Sequence, residues 1–159
     1  MKMSFTRSRR RAFSLIELVI VVVILGVIGA VAIPRMSRGA EGASESALVS
    51  NLATLRGAIE LYAAEHGGVF PTEADFSDQM LLYSDSTGAT NATKTGSYIY
   101  GPYLRSVPAL PVGARSGSNG VADSDAAGIG WIYDEDTGTI TSNTTGAEVN
   151  GSGKAWNAF

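Results

Sequence analysis

The sequence predicts an α+β fold: a long N-terminal α-helical spine, transmembrane and then amphipathic, packed on a small antiparallel β-sheet head. Three observations carry that expectation. Leu18–Ile33 is a run of sixteen residues without a charge. Leu48, Leu52, Leu55, Ile59 and Tyr62 recur at alternating spacings of four and three, the stripe of an amphipathic helix. Downstream of residue 83 the chain is rich in Gly, Ser, Thr and Asn, which favour turns, and holds two short strand candidates. Four segments follow: a basic leader over 1–12, a transmembrane helix over 13–34, an amphipathic helix over 35–66 and a loop-rich antiparallel β head over 67–159.

The leader is set apart by charge. Lys2, Arg7, Arg9, Arg10 and Arg11 put five positive charges and no acid before Phe13, and without them the remaining 7 basic and 15 acidic residues give −8, against −3 for the whole chain. An acidic body without a basic stripe is a poor match for nucleic acid, whose binding rests on Lys and Arg neutralising phosphates. From Phe13 to Ile33 the chain is long enough to cross a bilayer as a helix. The basic run before it, against Arg35 and Arg38 after it, predicts an N-terminus left in the cytoplasm and a head exported from it.

An ordinary secretory signal accounts for some of this, with Ala30-Val31-Ala32 as its small-x-small cleavage site; a twin-arginine signal on Arg10-Arg11 is a weaker variant. Against both stands Glu17, because a charged side chain in an apolar helix costs roughly 2.5–3.5 kcal/mol on insertion scales and a simple export signal gains nothing from it. The segment Ala12-Phe13-Ser14-Leu15-Ile16-Glu17-Leu18 resembles the signal of type IV prepilins and type II secretion pseudopilins. That resemblance implies cleavage between Ala12 and Phe13 by prepilin peptidase, methylation of the new Phe13 amine, and assembly through the helix, with Glu17 of one subunit meeting the Phe13 amine of the next. It implies a type IV pilin-like fold, a helix kink at Pro34, and an inner-membrane subunit with a head that is periplasmic or, after assembly, at the cell surface. The family usually carries Gly where this chain has Ala12. In the unassembled precursor, Glu17 can instead snorkel towards the headgroups.

Past the apolar run, Pro34 removes a helical hydrogen bond and Gly39 and Gly42 each cost about 1 kcal/mol relative to Ala, so bending or melting is expected over 34–43. The stripe from Leu48 to Tyr62 is assigned to core packing against the head, and the helix should end near His66-Gly67-Gly68. Val69-Phe70-Pro71-Thr72 reads as a turn, Ala74–Tyr83 as a short, partly helical piece, and Ser84–Ser97 as a surface loop. Gly101-Pro102-Tyr103-Leu104, with Pro108 and Pro111, predicts an extended connection. Residues 130–133 and 139–142 read as strands, joined by the hairpin turn Asp134–Gly138. Gly130–Asn143 resembles the C-terminal hairpin of major-pseudopilin-like proteins.

The chain offers little for catalysis. It has no cysteine and one histidine; His66 reads as a solvated or helix-capping residue beside Gly-Gly, and no nucleophile-elbow or phosphate-loop motif is present. No catalytic residue is assigned, and the expected role is that of an enzyme's substrate. No cofactor is assigned except that Asp123, Asp125, Asp134 and Asp136 are candidate calcium ligands, a role the resemblance also implies, against the plainer reading of solvated turn carboxylates. The expected partners are copies of itself or related subunits in a homo- or hetero-polymeric filament, the prepilin peptidase and methyltransferase, and the membrane, with no nucleic acid. A type II secretion pseudopilus or a related type IV filament is the leading function. The alternative is a single-pass anchored binding module that does not polymerise.

Overall fold

The computed structural model describes residues 13–159, with residues 31–38 described by backbone alone. Its elements are α1 (Leu15–Glu65), α2 (Phe76–Leu81), β1 (Tyr83–Ser84), β2 (Thr90–Asn91), β3 (Gly120–Ala122), β4 (Ile129–Asp134), β5 (Thr139–Ser142) and a closing 3-10 turn, Trp156–Ala158. The chain divides into two compact units between Gly39 and Ala40. This boundary falls inside the segment that Pro34, Gly39 and Gly42 were expected to weaken. The helix itself is unbroken there, so the sequence's helix breakers do not end α1.

In the first unit, α1 carries apolar side chains around its whole circumference. From Phe13 to Ile28 the large apolar residues are 46% to 78% exposed, and none of them is covered within this unit. Among the described residues no helix is long and apolar enough to cross a membrane.

The second unit is built on the stripe that the spacing picked out. Leu48, Leu52, Leu55, Ile59 and Tyr62 are each 2% exposed or less. They meet Phe76 and Met80 of α2, Leu110 from the extended segment, and Trp131, Tyr133 and Ile140 from the sheet. Alternation along a strand puts Trp131 and Tyr133 on one face of β4, and both are buried. Polar ends of these aromatics are satisfied at the edge of the core: Trp131 Nε1 donates to the Pro108 carbonyl at 2.8 Å and the Tyr133 hydroxyl to the Pro71 carbonyl at 2.9 Å. Burial pushes the Tyr133 hydroxyl well above the usual phenol range, with Glu135 and Asp134 adding to the rise.

The predicted hairpin is present, β4 pairing antiparallel with β5 from Trp131↔Ser142 to Asp134↔Thr139. Gly138 turns it at φ 67°, directly against the Phe70 ring, where a Cβ would collide. The head is nevertheless mixed and not wholly antiparallel. β3 lies parallel to β4, with a bulge between Gly120 and Val121. Residues 123–128 suffice for this connection because Gly128, at φ 84°, folds the chain back and its carbonyl accepts the Gly120 amide at 2.9 Å. A second correction concerns Ser84–Ser97, expected as loop throughout: Tyr83–Ser84 pairs antiparallel with Thr90–Asn91, and Ser84 also bridges to Tyr100.

His66 departs most from expectation. It lies just past α1, but it is 7% exposed and stacked on Tyr62. The chain returning through β1 covers the helix end, so a residue placed for solvent by its Gly-Gly neighbours becomes part of the interior.

Candidate functional site

The N-terminal end of α1 starts as a local capping problem. The first turn of a helix leaves backbone amides without partners, and here Ser14 sits at the N-cap with Glu17 three residues on. The Glu17 carboxylate reaches back and accepts the Ser14 backbone amide at 2.9 Å, while the Ser14 carbonyl takes the amides of Glu17 and Leu18 at 3.1 and 3.3 Å. This is the acidic half of a capping box. The helix N-terminus, with its partial positive charge, also favours a carboxylate in the first turn. Glu17 therefore has an acceptor role within its own chain before any partner arrives. The signal was in the sequence, since Ser-x-x-Glu before an apolar run is the capping pattern, but weighing Glu17 by its membrane cost alone misses it.

Around that cap the surface is apolar. Leu15, Leu18, Val19, Val22 and Val23 line a shallow groove along one side of the helix. Phe13, 74% exposed, stands at its end. Ala12 and the basic leader, and with them one side of the expected scissile bond, lie outside the described residues. Pro34 lies within α1.

The four aspartates proposed for calcium do not come together. Asp123, Asp134 and Asp136 line one cleft with Glu73 and Glu135. Asp125 belongs to another, with Arg115, Asn143 and Glu148. There Arg115 pairs with Asp125 through Nε at 2.8 Å and Nη2 at 3.0 Å, and Asn143 donates to the same carboxylate at 2.8 Å. These bonds hold the Asp125 carboxyl below the usual range, Arg115 contributing most. Asp134 is engaged by its own turn: it accepts the Thr137 hydroxyl at 2.9 Å and the amides of Asp136 and Thr137, which lower it too, the hydroxyl first. Among the described residues no group of three or more carboxylate or imidazole side chains is placed to hold a metal ion. Arg115 supplies the cation that Asp125 meets, and Asp134 serves the hairpin turn.

Glu148 completes the Arg115 neighbourhood. It accepts the Ala114 amide at 2.6 Å through one oxygen and the Thr145 amide at 2.7 Å through the other. These backbone bonds, Thr145's first, lower its carboxyl. The loop before β3 and the loop after β5 are tied together by side chains on both sides, a bracing arrangement.

Residues 7–33 match the family described as the prokaryotic N-terminal methylation motif. The chain carries this motif, the signature of type IV prepilin-like and pseudopilin proteins, and the match spans Ala12, Phe13 and Glu17. No curated protein and no solved structure matches the chain.

Proposed function

We propose that this chain is a prepilin-like filament subunit. Prepilin peptidase cuts it between Ala12 and Phe13, the Phe13 amine is methylated, and residues 13–34 hold it in the inner membrane with the N-terminus cytoplasmic and the head exported. Released from the leader, subunits polymerise through the apolar helix into a type II secretion pseudopilus or a related type IV filament. The chain is a substrate and a building block, not a catalyst.

The observation that carries this reading is a coincidence of position. The methylation motif at 7–33 falls on a helix whose apolar side chains are at least 46% exposed all round from Phe13 to Ile28. A helix hydrophobic on every side is stable when surrounded by lipid or by other helices. Its one charge among these residues, Glu17, lies where a newly formed Phe13 amine would need a counter-charge, because a charge in an apolar setting is tolerated when paired.

Mass spectrometry of the mature N-terminus tests the reading. The expected result is a chain beginning with N-methyl-Phe13. A chain beginning at Ile33 would overturn it in favour of export by signal peptidase. Correct processing without recoverable filaments would leave the anchored, non-polymerising module.

A further inference from the structure

The buried ring of His66, the chain's one histidine, is surrounded by acceptors. Nδ1 lies 2.8 Å from the Tyr62 carbonyl oxygen and Nε2 lies 2.9 Å from the Asp85 carbonyl oxygen. A carbonyl oxygen can only accept, and a neutral imidazole carries one N–H. A neutral ring would therefore turn a bare nitrogen lone pair towards one of the two carbonyls. The Ser84 hydroxyl, 3.2 Å from Nε2, is able to donate to that nitrogen, but from farther away than the carbonyl beside it.

Charged and polar groups face the ring from each element packed on it. The Tyr62 carbonyl, which also takes the His66 backbone amide at 3.0 Å, belongs to the last turn of α1, where exposed carbonyls favour a cation. That turn contains no basic residue. Just after β1, the Asp85 carboxyl is held low, chiefly by the Thr87 hydroxyl and then its amide. Glu65 precedes His66 and accepts the Tyr103 hydroxyl at 2.6 Å. Tyr100 and Tyr103 complete the cage, their ring centres 5.2 and 6.5 Å from the imidazole. The hydroxyls of Tyr62 and Tyr103 are raised, by burial first, and bring no charge at neutral pH.

We propose that His66 is a proton-operated clasp, which as an imidazolium donates to the Tyr62 carbonyl at the end of α1 and to the Asp85 carbonyl beyond β1, and which on losing a proton lets go of one of them. The clasp joins the helix end to β1. Ser84, in turn, exchanges both backbone hydrogen bonds with Tyr100, each at 3.1 Å, so the segment bearing exposed Ile99 depends on it. What the clasp contributes is present while the ring holds both protons and is lost as the pH rises past that state. An exported head would thus loosen around Ser84–Tyr100 when the ring loses a proton, while the Leu48–Ile59 core stayed closed.

The test uses the full chain in detergent micelles with 15N-labelled histidine, whose ring signals need no assignment. At about pH 5.5, below the ordinary imidazole range, both nitrogens should carry hydrogen. As the pH is raised, loss of one should coincide with about a tenfold rise in the exchange of the Ser84 and Tyr100 amides, corrected for intrinsic pH dependence, the size expected for one net hydrogen bond. His66→Gln should abolish that coincidence. A bare ring nitrogen in the folded chain at every pH from about 5 to 8, or exchange that ignores the ring's proton, would overturn the proposal. Both readouts come from the unmodified protein, so they stand whether or not the variant folds.

Discussion

Glu17 has two demands on one carboxylate. Its bond to the Ser14 amide satisfies a helix-end donor, and its charge is what a Phe13 amine would require in an assembled bundle. Two substitutions separate these roles. Glu17→Gln retains an oxygen able to accept the Ser14 amide, since Gln serves at this capping position as Glu does, but has no charge. Glu17→Ala loses both. If pairing governs assembly, both variants should insert and be processed, insertion becoming easier by a few kcal/mol, and neither should polymerise, because an unpaired buried charge costs about 3–5 kcal/mol. Filament recovery after shearing is the measurement. Gln filaments at the unmodified level with none from Ala would assign Glu17 to the cap alone.

At the scale of elements, the interior of the second unit depends on a single face of α1. Leu55 is fully buried at the middle of that face, and Leu55→Ala should lower the stability of this unit by about 2–5 kcal/mol, the range for large apolar residues cut to Ala in a core. Denaturant unfolding followed by tryptophan fluorescence would measure it; a loss below about 1 kcal/mol would mean that the site collapses around the gap. This stripe was legible in the sequence because it repeats over several turns. The β4–β5 hairpin was legible as well, since Trp131, Tyr133 and Ile140 flank a turn closed by Gly138. The pairs at β1, β2 and β3 were not. Strands of two or three residues carry no period, and the parallel pairing of β3 hangs on a backbone bond from Gly120 to Gly128 that no side-chain pattern announces. Neither could the burial of His66 be read from its neighbours, because a distant segment, β1, supplies the cover. The Asp125–Arg115 pair could not be read from the sequence for the same reason: Arg115 is ten residues away along the chain, and a loop brings them together.

The proposed processing would change the charge of the whole molecule. The leader holds five basic residues, and their removal takes the formal charge from −3 to −8. Under the proposed function those positive charges would orient the precursor at the cytoplasmic face. In the mature chain the balance is acidic, and heads brought together in a filament repel one another, since net charge of one sign opposes close approach. The helix interface must overcome that repulsion, to which solvent-exposed carboxylates such as Asp123, Glu135 and Asp136 contribute. Exposed charges are screened by salt, the Debye length falling from about 30 Å at 0.01 M to about 8 Å at 0.15 M, whereas a Glu17–Phe13 pair in an apolar bundle is screened much less. Assembly of processed subunits should therefore become more favourable as ionic strength rises over that interval. Sedimentation of filaments from detergent-dialysed mature chain at the two salt concentrations reads this directly, and the gain should shrink when Glu135 and Asp136 are replaced by Gln and Asn. Filaments that dissolve as salt is added would show instead that exposed ion pairs between subunits hold them together, and would move the search for the assembly contact from the apolar helix to the acidic head.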